Sequence, residues 1–248
     1  MPPLVKAFAD WSNANQGIVT VSIFFTTLLL GWLSGIFAAL KRRPRFRLGL
    51  ITGPTFSCTF LTGQKQNGHD VHRSAFALYL HVTNVGSASG SIVEVHVGYH
   101  WHLRPFSFDW LRHTVGWFWL RDQTVVVEDF QASIGENLKV FPFLFQRSVL
   151  SGLSSDTFLQ IGQSTNGVVY FEQSDSWGGC FPKVVDGSVR VKVRLIDAFG
   201  RSHCRKFLIP SVTMDEALKF NPSFGQTIAH IRGEIPAAPP ELDEPPSV

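Results

Sequence analysis

Residues 18–47 of the chain read IVTVSIFFTTLLLGWLSGIFAALKRRPRFR, an uncharged apolar run from Ile18 to Leu40 that ends directly in a basic cluster. As a helix, these 23 residues would extend for about 34 Å, which exceeds the hydrocarbon core of a bilayer at about 30 Å. The run is too long for a cleaved signal peptide, and basic residues stand where a small-residue cleavage site would be expected. We therefore predict a retained transmembrane helix over residues 18–40.

The charges on the two sides of this run predict its orientation. Lys6 and Asp10 nearly cancel within residues 1–17, whereas five basic residues follow the run within residues 41–47. Basic flanks are retained in the cytoplasm, so we expect residues 1–17 outside the cell and the body of the chain in the cytoplasm. Juxtamembrane bases are also attracted to anionic lipid. The residues predicted to bind the membrane surface are Lys41, Arg42, Arg43, Arg45 and Arg47.

Small residues recur every fourth position within the apolar run. Gly31 and Gly35 form a GxxxG pattern that Ala39 extends. Such a face allows a second helix to approach closely, although glycine is also common in membrane helices for other reasons. These three residues are the predicted site of helix association.

Beyond the basic cluster, the apolar pattern changes to a period of two. In Ser188–Leu195, valines and leucine alternate with Arg190, Lys192 and Arg194, which is typical of a half-buried strand. Turn residues 197–201 and a second strand, Cys204–Ile209, complete a predicted hairpin that Pro210 ends. Further strands are predicted at residues 75–83, 91–103, 124–127, 158–161 and 168–172.

Many short strands without an amphipathic helix among them predict a mainly β domain, an antiparallel immunoglobulin-like β-sandwich over residues 48–212. Thr213 and Glu216 form a capping box that predicts a short helix within residues 213–233. Residues 234–248 contain five prolines and four acidic residues, a composition that predicts a disordered tail.

Charge and cysteine content exclude some classes of function. The net charge of +3 comes largely from residues 41–47, so a basic stripe for nucleic acid is not expected on the folded body. The three cysteines, Cys58, Cys180 and Cys204, are an odd number at wide spacing and support neither a disulfide framework nor a zinc site of paired cysteines.

Aromatic residues are densest in residues 99–121, where eight occur in 23 positions, including four of the seven tryptophans. Three interpretations stay open: the rings fill or cover the sandwich core, they settle at the lipid headgroups beside the anchor, or they line a ligand or partner site. The candidate interface aromatics are Trp101, Trp110, Trp117 and Trp119.

Two patterns suggest enzyme chemistry. Strand alternation puts His100 and His102 on one face about 7 Å apart, close enough to share a zinc ion, and His96 and Glu94 continue that face. A His-x-His pair alone does not define a catalytic zinc site, which needs a third protein ligand, and a solvated strand face explains the same pattern. Cys180 lies in a glycine-rich loop and would be a nucleophile if a base such as His203 lay nearby, although a tight loop explains the same pattern. No GxSxG, P-loop or GxGxxG motif is present. We predict neither a metal nor a cofactor.

Together these patterns predict a single-pass membrane protein whose cytoplasmic β-sandwich is a non-enzymatic interaction, scaffold or sensing module. The expected partners are anionic lipids and either another protein or further copies of the chain. The alternatives are a metal- or thiol-dependent enzyme at the membrane, and a cell-envelope protein with the sandwich outside.

Overall fold

The computed structural model of the protein describes residues 3–35, 42–103, 105–124, 126, 128–134, 137–145 and 157–226. The chain forms two compact units. Among the described residues, the unit Met1–Arg43 contains two helices and the unit Pro44–Val248 is built mainly from antiparallel β-strands.

In the helical unit, helix α1 (Pro3–Ala14) is followed by helix α2 (Gln16–Leu33). α2 has 18 residues, a mean hydropathy of 1.7 and no buried side chain. At about 1.5 Å per residue it is about 27 Å long, and its length lies within the range of about 17–25 residues that transmembrane helices use. Its three threonine hydroxyls donate to backbone carbonyls four residues earlier, which satisfies them inside the helix. This helix is long and apolar enough to span a membrane.

α2 ends earlier than residue 40, where the sequence predicted its end. Gly35 has a φ of 75°, the left-handed conformation with which glycine commonly ends helices. Gly31 therefore lies in the helix and Gly35 lies beyond it, so the two do not form the continuous helical face that the GxxxG pattern predicted. Residues 36–41, including Ala39 and Lys41, lie outside the described residues.

The first sheet of the second unit is organised around its longest strand, β3 (His69–Asn84). All four partners of β3 are antiparallel to it: β1 (Phe46–Leu50), β2 (Phe56–Gln66), β9 (Ser164–Glu172) and β10 (Ser176–Trp177). β2 and β3 are joined by a tight turn at Asn67 and Gly68, both of which have positive φ, as two-residue hairpin turns of this sequence require.

The second sheet has β4 (Gly90–Tyr99) and β12 (Ser188–Asp197) at its centre. β13 (Ser202–Pro210) pairs with the other edge of β12, and β5 (Phe118–Leu120) pairs with β4, giving the order β5-β4-β12-β13. The short strands β8 (Phe158–Leu159) and β11 (Val184–Val185) extend it. A separate hairpin consists of β6 (Phe130–Ile134) and β7 (Asn137–Phe141).

The hairpin predicted from the alternating pattern is confirmed as β12 and β13. Its turn is fixed by the Asp197 carboxylate, whose Oδ1 accepts hydrogen bonds from the backbone N–H groups of Phe199 and Arg201 at 2.9 Å each. Gly200 adopts a φ of 74° in the same turn. The turn residues thus fix the register that puts the valines of β12 inside.

The two sheets pack face to face around an apolar core. Side chains from β3, β4, β9 and β12 meet there, and the largest include Phe76, Leu78, Tyr99, Phe171 and Leu195, all completely buried. Burial of apolar surface at this scale is the main stabilising contribution to such a domain.

A second apolar cluster covers the other face of the first sheet, which the sequence did not predict. Ala77 and Tyr79 of β3 point to this side, where the β6–β7 hairpin and helix α3 (Met214–Phe220) cover them. The predicted capping box is present, since the Thr213 hydroxyl accepts from the Glu216 N–H at 3.4 Å. The chain from α3 to Phe224 is therefore part of the folded body, while residues 227–248 lie outside the described residues.

Two strand predictions were wrong. β4 ends at Tyr99 and not at Leu103, and beyond it Trp101 forms only an isolated bridge to Pro182. Thr124 and Val126, the described residues of the predicted strand 124–127, are not in a strand. Thr124 instead forms two hydrogen bonds to β9. Its N–H donates to the Tyr170 carbonyl, and its hydroxyl accepts from the Glu172 N–H.

Candidate functional site

The outer face of the second sheet carries an unusual set of basic side chains. Because strand side chains alternate, Val189, Val191 and Val193 of β12 point into the core with at most 1% of their surface exposed, and their neighbours point outward. The outward residues of β12 are Arg190, Lys192 and Arg194.

The neighbouring strand adds a fourth cation directly opposite one of these. Lys192 pairs with Lys206 of β13 in the strand register. Like charges directly opposite each other on neighbouring strands are destabilising. Among the described residues, no carboxylate lies within 4.0 Å of any of the four cations.

A glycine makes room for an indole ring beside these cations. Gly98 of β4 lies between Lys192 of β12 and Trp119 of β5 in the register. A Cβ atom at Gly98 would lie 3.0 Å from the Trp119 ring, so the ring packs flat on the backbone at this point. The Arg194 guanidinium carbon lies 4.0 Å from the centroid of the same ring.

A second indole, Trp117, contacts both lysines. Their Nζ atoms lie 5.7 Å (Lys192) and 5.8 Å (Lys206) from its centroid, within the range of a cation–π interaction. Trp117 and Trp119 are half-buried, and their ring centroids lie 6.5 Å apart. We refer to the following set as the basic tryptophan face: Trp117, Trp119, Arg190, Lys192, Arg194 and Lys206.

Glu94, on the outer side of β4, contacts a histidine of the same strand. Glu94 and His96 follow one another on the outer side of β4, and their Oε2 and Nε2 atoms lie 3.1 Å apart. Glu94 lies opposite Ile196 of β12 in the strand register and is not within 4.0 Å of any of the four cations, so the basic tryptophan face can attract a negatively charged group from outside the domain.

The two histidines proposed as metal ligands have separate environments. His100 Nδ1 lies 2.9 Å from the Gly116 carbonyl, and its ring stacks on Trp117 at 4.1 Å. The ring of His102 instead stacks on Phe181 at 5.2 Å. Within the described part of the chain, no group of three or more His, Cys, Asp or Glu side chains is placed to hold a metal ion.

The four candidate tryptophans occupy different surroundings. Trp101 packs against the sandwich core and contacts the rings of His113 and Phe118 at 4.3 and 4.5 Å. Trp110 lies in a short helical segment outside the sheet, 5.6 Å from Phe106. Only Trp117 and Trp119 contact the basic residues, so the aromatic segment is divided between core and surface.

Cys180 lacks the surroundings of an activated nucleophile. Burial, followed by the charge of Asp109, raises the pKa of its thiol, whereas a reactive thiolate needs a lowered pKa. The proposed base, His203, uses Nε2 to contact the Asp197 carboxylate at 2.9 Å, and its Nδ1 accepts from the Phe46 N–H at 3.4 Å. These contacts connect β13 to β1 and do not involve Cys180.

The residues predicted to bind the membrane surface lie only partly in the segment before the first sheet. Arg42, Arg43 and Arg45 are exposed. Arg47 is also exposed but lies within β1, opposite Thr83 of β3. The first sheet therefore begins within the basic cluster of residues 41–47.

The comparisons with known proteins give no function. No family model matches the chain, and no curated protein matches it. Among solved structures it is similar to a chain from Bordetella pertussis that bears the name "Putative ApaA Protein", with a TM-score of 0.28, 8% identity, and coverage of 68% of this chain and 96% of that one. A TM-score of that size carries no argument.

Sequence reasoning missed the basic tryptophan face as a unit. The alternation in β12 placed its three basic residues on one side, and the tryptophans were candidates of their own. The sequence did not give the strand order. β12 pairs with β13 through a short turn, but its pairing with β4 joins residues more than ninety positions apart, which no local pattern predicts. The one local signal was Gly98, a glycine between Val97 and Tyr99 inside the strand.

Proposed function

We propose that this chain is a single-pass, membrane-anchored protein whose β-sandwich is a non-enzymatic interaction module that serves as a scaffold or sensor at the cytoplasmic face. The length and apolarity of α2 support the anchor. The basic residues 41–47 support the orientation and an attraction to anionic lipid. An immunoglobulin-like arrangement of the sandwich belongs to this proposal.

The observation that carries the binding role is the basic tryptophan face. Four cations share one sheet surface with no carboxylate within 4.0 Å of them among the described residues, and two lysines lie opposite each other in register. This arrangement reduces stability when the domain is alone. A negatively charged partner would offset the repulsion, and the indole rings would add apolar contact area.

Lysine footprinting in native membranes tests this function. A membrane-permeant acetylating reagent is applied to membranes that contain the full chain and, separately, to the chain purified in detergent. If a partner covers the face, Lys192 and Lys206 react several-fold more slowly in native membranes than in detergent. Lys65 and Lys139, exposed lysines on β2 and β7, serve as internal controls. Equal ratios for all four lysines in both preparations would refute a binding role for the face.

A further inference from the structure

A helical loop, residues 105–116, projects large apolar side chains into solvent. It connects the end of β4 to β5 through one helical turn, Phe108–Trp110, and one π-helical turn, Leu111–Val115. Uncovered clusters of such side chains mark contact surfaces. The exposed fractions are 93% for Phe106, 76% for Phe108, 68% for Val115 and 57% for Leu111.

The loop has a defined conformation that keeps these side chains outside. The Ser107 hydroxyl accepts from the Trp110 N–H at 3.0 Å, and the Ser107 carbonyl accepts from the Leu111 N–H at the same distance. Phe106 has a φ of 64°, a left-handed conformation that is costly for a residue other than glycine. With this backbone conformation, the Phe106 side chain is the most exposed large apolar side chain of the loop.

The far end of the loop continues into the basic tryptophan face. The Gly116 carbonyl lies 2.9 Å from His100 Nδ1, and the next residue is Trp117, whose ring contacts Lys192 and Lys206. The loop is thus joined to the basic tryptophan face through Gly116 and Trp117. Within the loop, exposed Arg112 and exposed Asp109 carry opposite charges, so the positive charge of this surface comes from the basic tryptophan face.

We propose that this loop inserts its apolar side chains into the interface of an anionic bilayer while Lys192 and Lys206 contact the headgroups. The inference rests on the proposed function and names the negatively charged partner of the basic tryptophan face. A protein partner would need pockets shaped to several separately projecting side chains. A bilayer accepts apolar side chains of any shape, tryptophan favours its interface, and anionic headgroups attract lysine.

Quenching of Trp110 by brominated lipid tests the proposal directly. The full chain is placed in nanodiscs of phosphatidylcholine and phosphatidylserine, with and without bromine on the acyl chains. The contribution of Trp110 is the difference between the full chain and its Trp110→Phe variant. We expect this contribution to be quenched, and the quenching to be lost in the double variant Phe106→Ser/Phe108→Ser.

A matched control removes two exposed phenylalanines from the opposite end of the second sheet. Phe158 pairs with Ser91 at the start of β4, and Phe199 lies in the β12–β13 turn. Phe158→Ser/Phe199→Ser should leave the quenching unchanged. In nanodiscs without phosphatidylserine, or in the variant Lys192→Gln/Lys206→Gln, the quenching should be weaker than in the full chain with phosphatidylserine.

The outcomes separate this inference from the proposed function. If Trp110 is not quenched but Lys192 and Lys206 are shielded in native membranes, the partner is a protein; the lipid proposal is then overturned and the proposed function stands. If Trp110 is not quenched and the lysines are not shielded, both are overturned. Quenching that persists in Phe106→Ser/Phe108→Ser would also overturn insertion through the loop.

Discussion

Replacement of Arg73 by Met should destabilise the second unit by about 3–5 kcal/mol, the usual cost of removing one partner from a buried ion pair. The Arg73 and Glu172 side chains are 14% and 7% exposed, and their Nη1 and Oε1 atoms lie 3.4 Å apart. Arg73 also donates to Asp175, whose side chain is 38% exposed and keeps access to water. The loss therefore arises mainly from the stranded Glu172 carboxylate, which retains the Tyr170 hydroxyl at 3.5 Å.

The effect of this substitution should depend on pH. Burial raises the pKa of Glu172 from its ordinary value of 4.5, although Arg73 acts in the opposite direction. Between the unfolded and the folded pKa the folded state binds more protons, so the free energy of unfolding falls as pH rises through this window. Without Arg73 the folded pKa rises further. The variant should therefore lose more stability at neutral pH than at mildly acidic pH.

Denaturant unfolding of the full chain in detergent, followed by tryptophan fluorescence, measures both effects. Adding Glu172→Gln to Arg73→Met should restore most of the lost stability, because the carboxylate that cannot be neutralised is then absent. A loss below about 1 kcal/mol in the single variant, typical of an exposed pair, would show that Arg73 and Glu172 do not behave as a buried ion pair. Equal losses at neutral and acidic pH would contradict the assigned role of Glu172.

Three further changes test the fold and the site. Gly98→Val should push the Trp119 ring off β4 and speed acetylation of Lys192 in the purified chain; unchanged reactivity would show that the ring does not shield this lysine. Thr213→Ala removes the helix cap of α3 and should cost about 1 kcal/mol in denaturant unfolding, whereas no measurable change would mean that α3 contributes little. Burial raises the pKa of Cys58 to about 12, so a maleimide should label exposed Cys204 well before Cys58; equal rates would contradict the packing of β2.

The local patterns predicted part of this architecture well. The alternation in Ser188–Leu195, the turn at Asp197 and the capping box at Thr213 each depend on residues within a few positions of one another, and all three are confirmed. Alternation of apolar and polar residues is clearest in a strand that has one side chain face in the core and the other in solvent.

Other elements escaped prediction because both of their faces are buried or because they depend on distant contacts. β3 was predicted only over residues 75–83, yet it extends over His69–Asn84. The first sheet is covered on its second side by α3 and the β6–β7 hairpin, a packing that no local period reveals. The Arg73–Glu172 pair joins positions 99 residues apart, and only strand pairing brings them together.

The end of α2 shows a different limit. Hydropathy alone favoured a span to Leu40, whereas Gly35 ends the helix through its backbone conformation. An average of hydropathy over many residues is insensitive to the backbone conformation of a single glycine. The same glycine had been assigned to an association face, so a single conformational fact changed two predictions.

The decisive measurement is trypsin digestion of the second unit in intact and in permeabilised cells, with alkaline washing of isolated membranes as a separate assay of the anchor. The account predicts that the full chain stays in the washed membrane pellet, and that trypsin cuts the sandwich in permeabilised cells but not in intact cells. Release of the chain by the alkaline wash would contradict the anchor. Digestion of the sandwich in intact cells would contradict its cytoplasmic location.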